Sequence, residues 1–143
     1  MSRTYPYPRP ALTVDIVLIK DSREGAEILL IQRNHPPFAG HWALPGGFVD
    51  ENEPLETAAR RELFEETGLE PAELAQLGAF GDPGRDPRGW TVSVVFWTRI
   101  TGDVTPHAGD DAAAAHWWPL NDLPPLAFDH ADIVRQAKAI IIP

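Results

Sequence analysis

Between Gly46 and Leu69 the chain reads GGFVDENEPLETAARRELFEETGL: a glycine pair, an acidic turn, then a segment carrying Glu62, Glu65 and Glu66 that stops at Gly68. A helix turns about 100° per residue, so positions i, i+3 and i+4 project from one side. Three carboxylates so placed repel one another unless positive charge stands among them. Solvent with salt, the neighbouring Arg60 and Arg61, or a divalent cation would each supply it. A solvated charged face is the commonest fate of a Glu-rich helix. The helical wheel opposes it here. Leu55, Ala59 and Leu63 fall on or beside the sector of Glu62 and Glu66, whereas Thr57, Arg60 and Phe64 lie roughly opposite. A helix turns its apolar sector inward, which brings these acids to the edge of a core or into a cleft. Oxygen donors there favour hard cations, Mg2+ or Mn2+, which keep waters for a phosphate substrate.

The elements that position this segment follow from apolar runs and their punctuation. Residues 1–10 hold prolines and tyrosines and are expected to form an extended arm, with residues 11–143 as a single domain. Ala11–Lys20 is β-branched and largely alternating, a strand with Asp15 on its polar face, and Glu27–Arg33 returns as its hairpin partner. His35–His41 is a loop. The helix begins at Asn52 or Glu53, with Pro54 in its first turn and Glu56 near the positive end of the dipole, and Gly68 caps its C-terminus. Strands are expected over Glu73–Asp82 and Trp90–Ile100, a flexible loop over Thr105–Ala115, and a short closing strand over His116–Leu120. Asp129 is expected to cap a last helix, His130–Ile140, whose buried stripe is Ile133, Val134, Ala137 and Ile140. Trp117 and Trp118 face opposite ways, so at least one belongs to a core.

Gly47, Glu53 and the run Arg61-Glu62-Leu63-Phe64-Glu65-Glu66-Thr67-Gly68-Leu69 together resemble the signature box of the Nudix hydrolases, with each defining position filled at the family's spacing. The approach Trp42-Ala43-Leu44-Pro45-Gly46-Gly47 is similar to the family's as well. The resemblance implies an α/β fold, a Nudix-type α/β/α sandwich with a mixed β-sheet in which the box forms a loop-helix-loop. It also implies metal-dependent hydrolysis of a nucleoside diphosphate linked to another moiety. By the same resemblance Glu62, Glu65, Glu66 and the carbonyl of Gly46 bind Mg2+, with Mn2+ as the alternative, and Arg61 orients the glutamates. Two adjacent glycines let the backbone approach a ligand closely and accept unusual dihedrals, although a plain tight turn would use them too. The general base is Glu65, Asp110 or Asp111, which the sequence does not rank.

Further candidates lie outside the box. Arg33, Arg85 and Arg88 are candidate phosphate or ribose ligands, since a guanidinium fork suits both; the competing account of Arg85–Gly89 is a hairpin loop with a local Asp-Arg pair. Arg85-Asp86-Pro87-Arg88-Gly89 and Leu126–His130 resemble the ADP-ribose pyrophosphatase branch, which makes ADP-ribose, split to AMP and ribose 5-phosphate, the expected substrate. Phe128 stacks on a base or anchors the last helix. Nucleoside triphosphates or dinucleoside polyphosphates are the alternative substrates. A non-catalytic ADP-ribose sensor is the alternative class, opposed by the complete acid set and by a chain ending at Pro143 without a winged helix. Each of the five histidines reads as structural or solvent-facing.

Composition narrows the partners. Twelve basic and 21 acidic side chains give a formal charge of −9, which disfavours nucleic-acid polymers. Small phosphate esters remain open, because divalent ions reverse the sign of an acidic pocket. The chain has no cysteine, which excludes disulfides, thiolate zinc sites and a Cys nucleophile and accords with a reducing compartment. No run approaches the roughly 18 apolar residues of a membrane span. A cytoplasmic protein with no membrane partner is expected, with the Tyr-Pro arm packed either on its own domain or across a homodimer.

Overall fold

The first long apolar run becomes the middle of a sheet. In a computed structural model that describes residues 4–109 and 112–141, the elements in chain order are β1 (Ala11–Ser22), β2 (Gly25–Arg33), β3 (Trp42–Ala43), β4 (Gly46–Phe48), α1 (Leu55–Thr67), β5 (Ala75–Phe80), β6 (Thr91–Ile100), β7 (Ala112–Pro119) and α2 (His130–Ile141). The strands form one seven-stranded sheet with the path β3-β2-β1-β6-β5, to which β4 adds on β1 and β7 on β2. β1 and β6 run parallel while the other pairs are antiparallel, so the sheet is mixed.

β1 is buried on both faces, and each face meets a helix. Val14, Ile16 and Leu18 pack with Leu29, Phe96 and the α1 residues Ala58, Ala59 and Leu63. Val17 and Ile19 pack with Ile28, Leu30 and Val95 and with Ile133, Val134, Ala137 and Ile141 of α2. These two cores make the α/β/α sandwich, and they explain why β1 reads as a nearly unbroken apolar run. They also correct the placement of Asp15. That side chain has no solvated face to occupy; it is 7% exposed.

Several boundaries move for local reasons. Pro54 is the N-cap of α1, with an extended ψ of 144°, so the helix starts at Leu55 and the proline lies outside its first turn. Gly68 ends α1 with φ 75°, its N–H donating to the Phe64 carbonyl at 2.8 Å. β5 is shorter than its apolar run, with an irregularity between Gln76 and Gly78. β7 starts at Ala112, so Ala112–Ala115 are strand rather than loop: alanine has little strand preference of its own, but β2 offers a free edge for it to pair with. Trp118 packs in the α2-side core and Trp117 against the α1-side core. On α2 the stripe closes with Ile141, while Ile140 is 62% exposed. Asp129 does not cap α2 with its side chain, which Arg85 holds at 2.7 and 2.8 Å. Residues 4–10 carry neither helix nor strand; there Arg9 stacks on Tyr5 at 3.6 Å from the ring centroid. Among the described residues no helix is long and apolar enough to cross a membrane.

His130, the first residue of α2, is 4% exposed. Burial lowers its pKa against the opposing charges of Asp15 and Asp129, and Arg85 and Arg33 lower it further. Below the ordinary histidine value of about 6.5 the unfolded chain therefore binds a proton that the folded chain refuses. Stability from this group is complete above that pH and declines as pH falls beneath it. Because Glu66, with its pKa raised to about 8, gains stability over the same range, the expected signature is a difference: from pH 7.5 to 5.5 the urea midpoint of wild type should fall relative to that of His130→Asn, which keeps the other groups but cannot titrate here. Parallel pH profiles in the two proteins would show that His130 does not contribute.

Candidate active site

The glycine pair matters for what it lacks. β4 pairs with β1 so that Gly46 lies opposite Asp15 and Gly47 opposite Val14. A Cβ on Gly46 would meet the Val14 carbonyl oxygen at 2.1 Å and Asp15 Oδ1 at 2.5 Å; one on Gly47 would meet the Glu62 carboxylate carbon at 2.5 Å. Neither glycine has a left-handed φ, so close approach, not unusual dihedrals, is what requires them.

α1 sets the acids against this strand. Leu63, Ala58 and Ala59 are completely buried, which fixes the helix and turns Glu62 and Glu66 toward β4. Glu66 Oε1 accepts the Gly46 N–H at 2.8 Å. Burial pushes the Glu66 pKa up to about 8; the Gly46 hydrogen bond opposes this, and the charges of Glu62 and Asp15 add to it. Burial also raises Glu62, against the pull of Arg61. Glu65 stands at the rim with 56% of its side chain exposed.

Arg61 joins these acids to the preceding loop. Its Nε and Nη2 donate to both Glu53 oxygens at 2.8 and 2.9 Å, its Nη1 to Glu62 at 2.9 Å and to Glu65 at 3.4 Å, and its Nη2 also to the Phe48 carbonyl at 3.2 Å. The hydrogen bonds from Arg61 and from the Asp50 N–H hold Glu53 down at about 2. The fork does not reach Glu66.

These residues open on a cleft of about 590 Å³. Its lining holds two groupings: Asp15, Gly46, Glu62 and Glu66 around the glycine pair, and Arg33, Arg88, Phe48 and Phe128 gathered by cation–aromatic contacts. The sequence candidates fare differently there. Arg85 lines the cleft with its side chain only 5% exposed and its guanidinium bidentate to Asp129. Arg88 forks onto Asp86, the local Asp-Arg pair, and its guanidinium stands 5.1 Å from the Phe48 centroid and 5.3 Å from that of Phe128. Arg33 donates through Nε to the Pro37 carbonyl at 2.7 Å and lies 4.9 Å from the Phe128 centroid. Burial and the neighbouring Arg88 lower its pKa. Among the described residues no carboxylate forms an ion pair with it. Phe128 adopts φ 52°, which directs its ring into this cationic grouping.

Asp110 and Asp111 lie outside the described residues. The chain leading to them is fixed on α1, because His107 N–H donates to the Thr67 carbonyl at 2.8 Å and Gly109 N–H to that of Glu66 at 3.1 Å. A Cβ on Gly109 would meet the Glu65 carbonyl oxygen at 2.0 Å.

Asp15, Phe48 and His130 line the cleft without having been singled out from the sequence. An acid inside a β-branched run was the available signal for Asp15, and its neighbours in Leu126–His130 for His130.

The fit to a divalent cation can be tested on the donors present. Among the described residues no three His, Asp or Glu side chains are arranged to close round a metal. Mg2+ asks for less: one or two carboxylates, with waters and substrate phosphates completing its shell. Glu62 and Glu66 beside Gly46 meet that requirement, and a carboxyl that burial and like charge keep protonated is one that a cation would ionise. The residues fit.

The NUDIX domain model matches residues 9–137. An ADP-ribose pyrophosphatase of Methanocaldococcus jannaschii is 47% identical over 129 residues, covering 90% of this chain and 73% of its own length. The ADPR responsive transcriptional repressor NtrR of Acinetobacter baylyi is 38% identical over 93% of this chain, which spans only 55% of that relative. The NUDIX domain of Shewanella oneidensis NrtR, solved as a complex with ADP ribose, superposes with a TM-score of 0.89 at 37% identity, covering 96% of this chain and 94% of that one. Glycines forced against carboxylates, an arginine fork behind them and a match over nearly the whole length lead to one conclusion: the chain belongs to the NUDIX domain family.

Proposed function

We propose that the protein hydrolyses the pyrophosphate bond of ADP-ribose, giving AMP and ribose 5-phosphate. The observation that carries this is the single cleft that joins an acidic corner to a cationic, aromatic grouping, a layout matched to a diphosphate flanked by a base and sugars. Similarity to an ADP-ribose pyrophosphatase and to a NUDIX domain crystallised with ADP ribose supports the choice of substrate.

Nudix hydrolases generally depend on divalent metals. In our reading the Gly46 carbonyl, Glu62 and Glu66 hold the cation, Glu65 serves a further one at the rim, and Mg2+ is the default with Mn2+ as its substitute. Such a cation, when bound, polarises phosphoryl oxygens and lowers the pKa of a coordinated water. Arg61, anchored by its bidentate fork on Glu53, holds Glu62 and, at the rim, Glu65 through Nη1. Arg33 takes a phosphate oxygen, Phe128 offers a face to the base, and Arg88 flanks it. Glu65, Asp110 and Asp111 are the acids available to accept the water's proton, and hydrogen-bond reach in the substrate complex decides among them.

A ligand-sensing module is the second reading, favoured by the 38% identity to an ADPR responsive repressor. Turnover separates the two. With Mg2+ and a panel of ADP-ribose, nucleoside triphosphates and dinucleoside polyphosphates, ADP-ribose should show the highest kcat/KM. Glu66→Gln should lower that value more than about 100-fold, since loss of groups one shell further from a metal already costs about 10–100-fold. Turnover no greater than that of the variant would favour the sensor, and preference for a triphosphate would overturn the substrate.

Arg33→Ala should raise KM for ADP-ribose by about 10-fold or more with kcat little changed, as expected for a lost charge-assisted hydrogen bond of about 1.5–3 kcal/mol made alike in ground and transition states. An unaltered KM would remove Arg33 from the phosphate site. Gly47→Ala should cut kcat at least about 10-fold by displacing Glu62. Gly78→Ala, where a Cβ meets nothing within 4 Å, should leave kcat unchanged, and equal effects would argue against the steric account.

A further inference from the structure

Behind the acidic corner lies a buried side-chain chain that the proposed chemistry does not use. His130 Nδ1 accepts the backbone N–H of Leu44 at 3.0 Å. The opposite ring nitrogen, Nε2, faces Asp15 Oδ1 at 3.7 Å, and Ser93 Oγ donates to the other oxygen of Asp15. All of these groups are buried: Leu44 is 2% exposed, His130 4%, Asp15 7% and Ser93 0%.

What these residues hold is the tripeptide Leu44-Pro45-Gly46. Its backbone is fixed at three points: Leu44 N–H by His130, the Pro45 carbonyl by Ile16 N–H at 2.9 Å, and Gly46 N–H by Glu66 at 2.8 Å. Proline has no N–H, so both donors of the tripeptide end on side chains, one of them the carboxylate proposed to hold metal. Without the imidazole, the Leu44 N–H would be a buried donor with no acceptor, a state folded proteins rarely tolerate. The segment would shift to satisfy it, carrying the Gly46 carbonyl along.

The pattern also fixes the ring's chemistry. An imidazole nitrogen that accepts a backbone N–H carries no proton, so neutral His130 must hold its proton on Nε2, toward Asp15. The same ring cannot serve as a metal ligand through Nδ1. It acts one step back, as groups behind metal ligands commonly do.

We propose that His130, oriented by Asp15 and Ser93, is a positioning residue for the metal corner: it sets the Gly46 carbonyl by accepting the Leu44 N–H. This builds on the assignment of Gly46, Glu62 and Glu66 to a divalent cation, and the test separates the two. Mn2+ affinity is measured without substrate, by the electron paramagnetic resonance of free Mn2+, for wild type, His130→Asn and His130→Leu. The two replacements have similar volume, but only Asn offers an acceptor near the position of Nδ1. Nitrogen-15 correlation spectra of wild type give the tautomer independently.

Asn should bind Mn2+ within about threefold of wild type and Leu about 10-fold or more weakly, and the His130 ring should show the Nε2–H form. A merely structural role would lower thermal stability in both variants without separating their affinities. Equal affinities for Leu and wild type, an Asn variant as weak as Leu, or an Nδ1–H tautomer would each overturn the proposal. If His130→Leu does not fold, the Asn affinity and the tautomer still decide. If wild type itself binds no Mn2+, the metal assignment falls, and this inference with it.

Discussion

Acid side chains are crowded and largely buried where β1, β4 and α1 meet, and much of the molecule is arranged around that fact. A carboxylate taken out of water is costly unless hydrogen bonds or opposite charge compensate it. Glu66 receives one backbone N–H, from Gly46, while Glu62 and Asp15 add charge of its own sign. Arg61, the fork beside it, serves Glu53, Glu62 and Glu65 instead. The deficit is therefore local, it raises the Glu66 pKa to about 8, and apolar contacts keep the group where it arises. With Leu63, Ala58 and Ala59 fully buried, the helix cannot roll outward to return its acids to solvent without opening the core beneath β1.

The rest of the cleft handles positive charge by the reverse strategy. Of the three arginines that line the cleft, two are matched within the protein, Arg85 to Asp129 and Arg88 to Asp86. The first pair ties the 83–89 loop to the start of α2. The second turns a flexible side chain into a fixed plane set against aromatic rings. Rigid placement of such groups before a ligand arrives reduces the ordering cost of binding. Phe128, Asp129 and His130 thus each reach a different neighbour: the arginines Arg33 and Arg88, the 83–89 loop, and Leu44 in the segment leading to the glycines.

The sequence made some of this legible and hid the rest for identifiable reasons. Glu62, Glu66, Arg61 and Gly46 could be read because helix periodicity and a glycine pair are local patterns, and they coincide with a family box. The sandwich followed from the same box and from the long β-branched runs. Asp15 was misjudged because period-two alternation cannot show that a strand is covered on both faces; only the docking of α2 does. The pairing of Arg85 was hidden because its partner, Asp129, is 44 residues away in sequence, and nothing local announces a buried ion pair at that distance. The start of β7 was missed because alanines pair where an edge invites them, whatever their own preference. Ile140 and Ile141 exchanged places because the i+3 and i+4 positions after Ala137 are equally apolar.

Gly109 has a bearing on how the molecule tolerates change. Its backbone sits so tightly on the last turn of α1 that even a methyl group would strike the Glu65 carbonyl, and His107 is moored to the same turn. The ribbon leaving β6 is consequently docked on the helix bearing the acids, downstream of the irregular stretch 101–106. Within that stretch the exposed residues Thr101, Gly102 and Asp103 are the place for added length, since the Val104 carbonyl already accepts the Trp117 Nε1–H at 2.8 Å. The fold can thus vary the length of an outer loop while Gly109 stays against the last turn of α1.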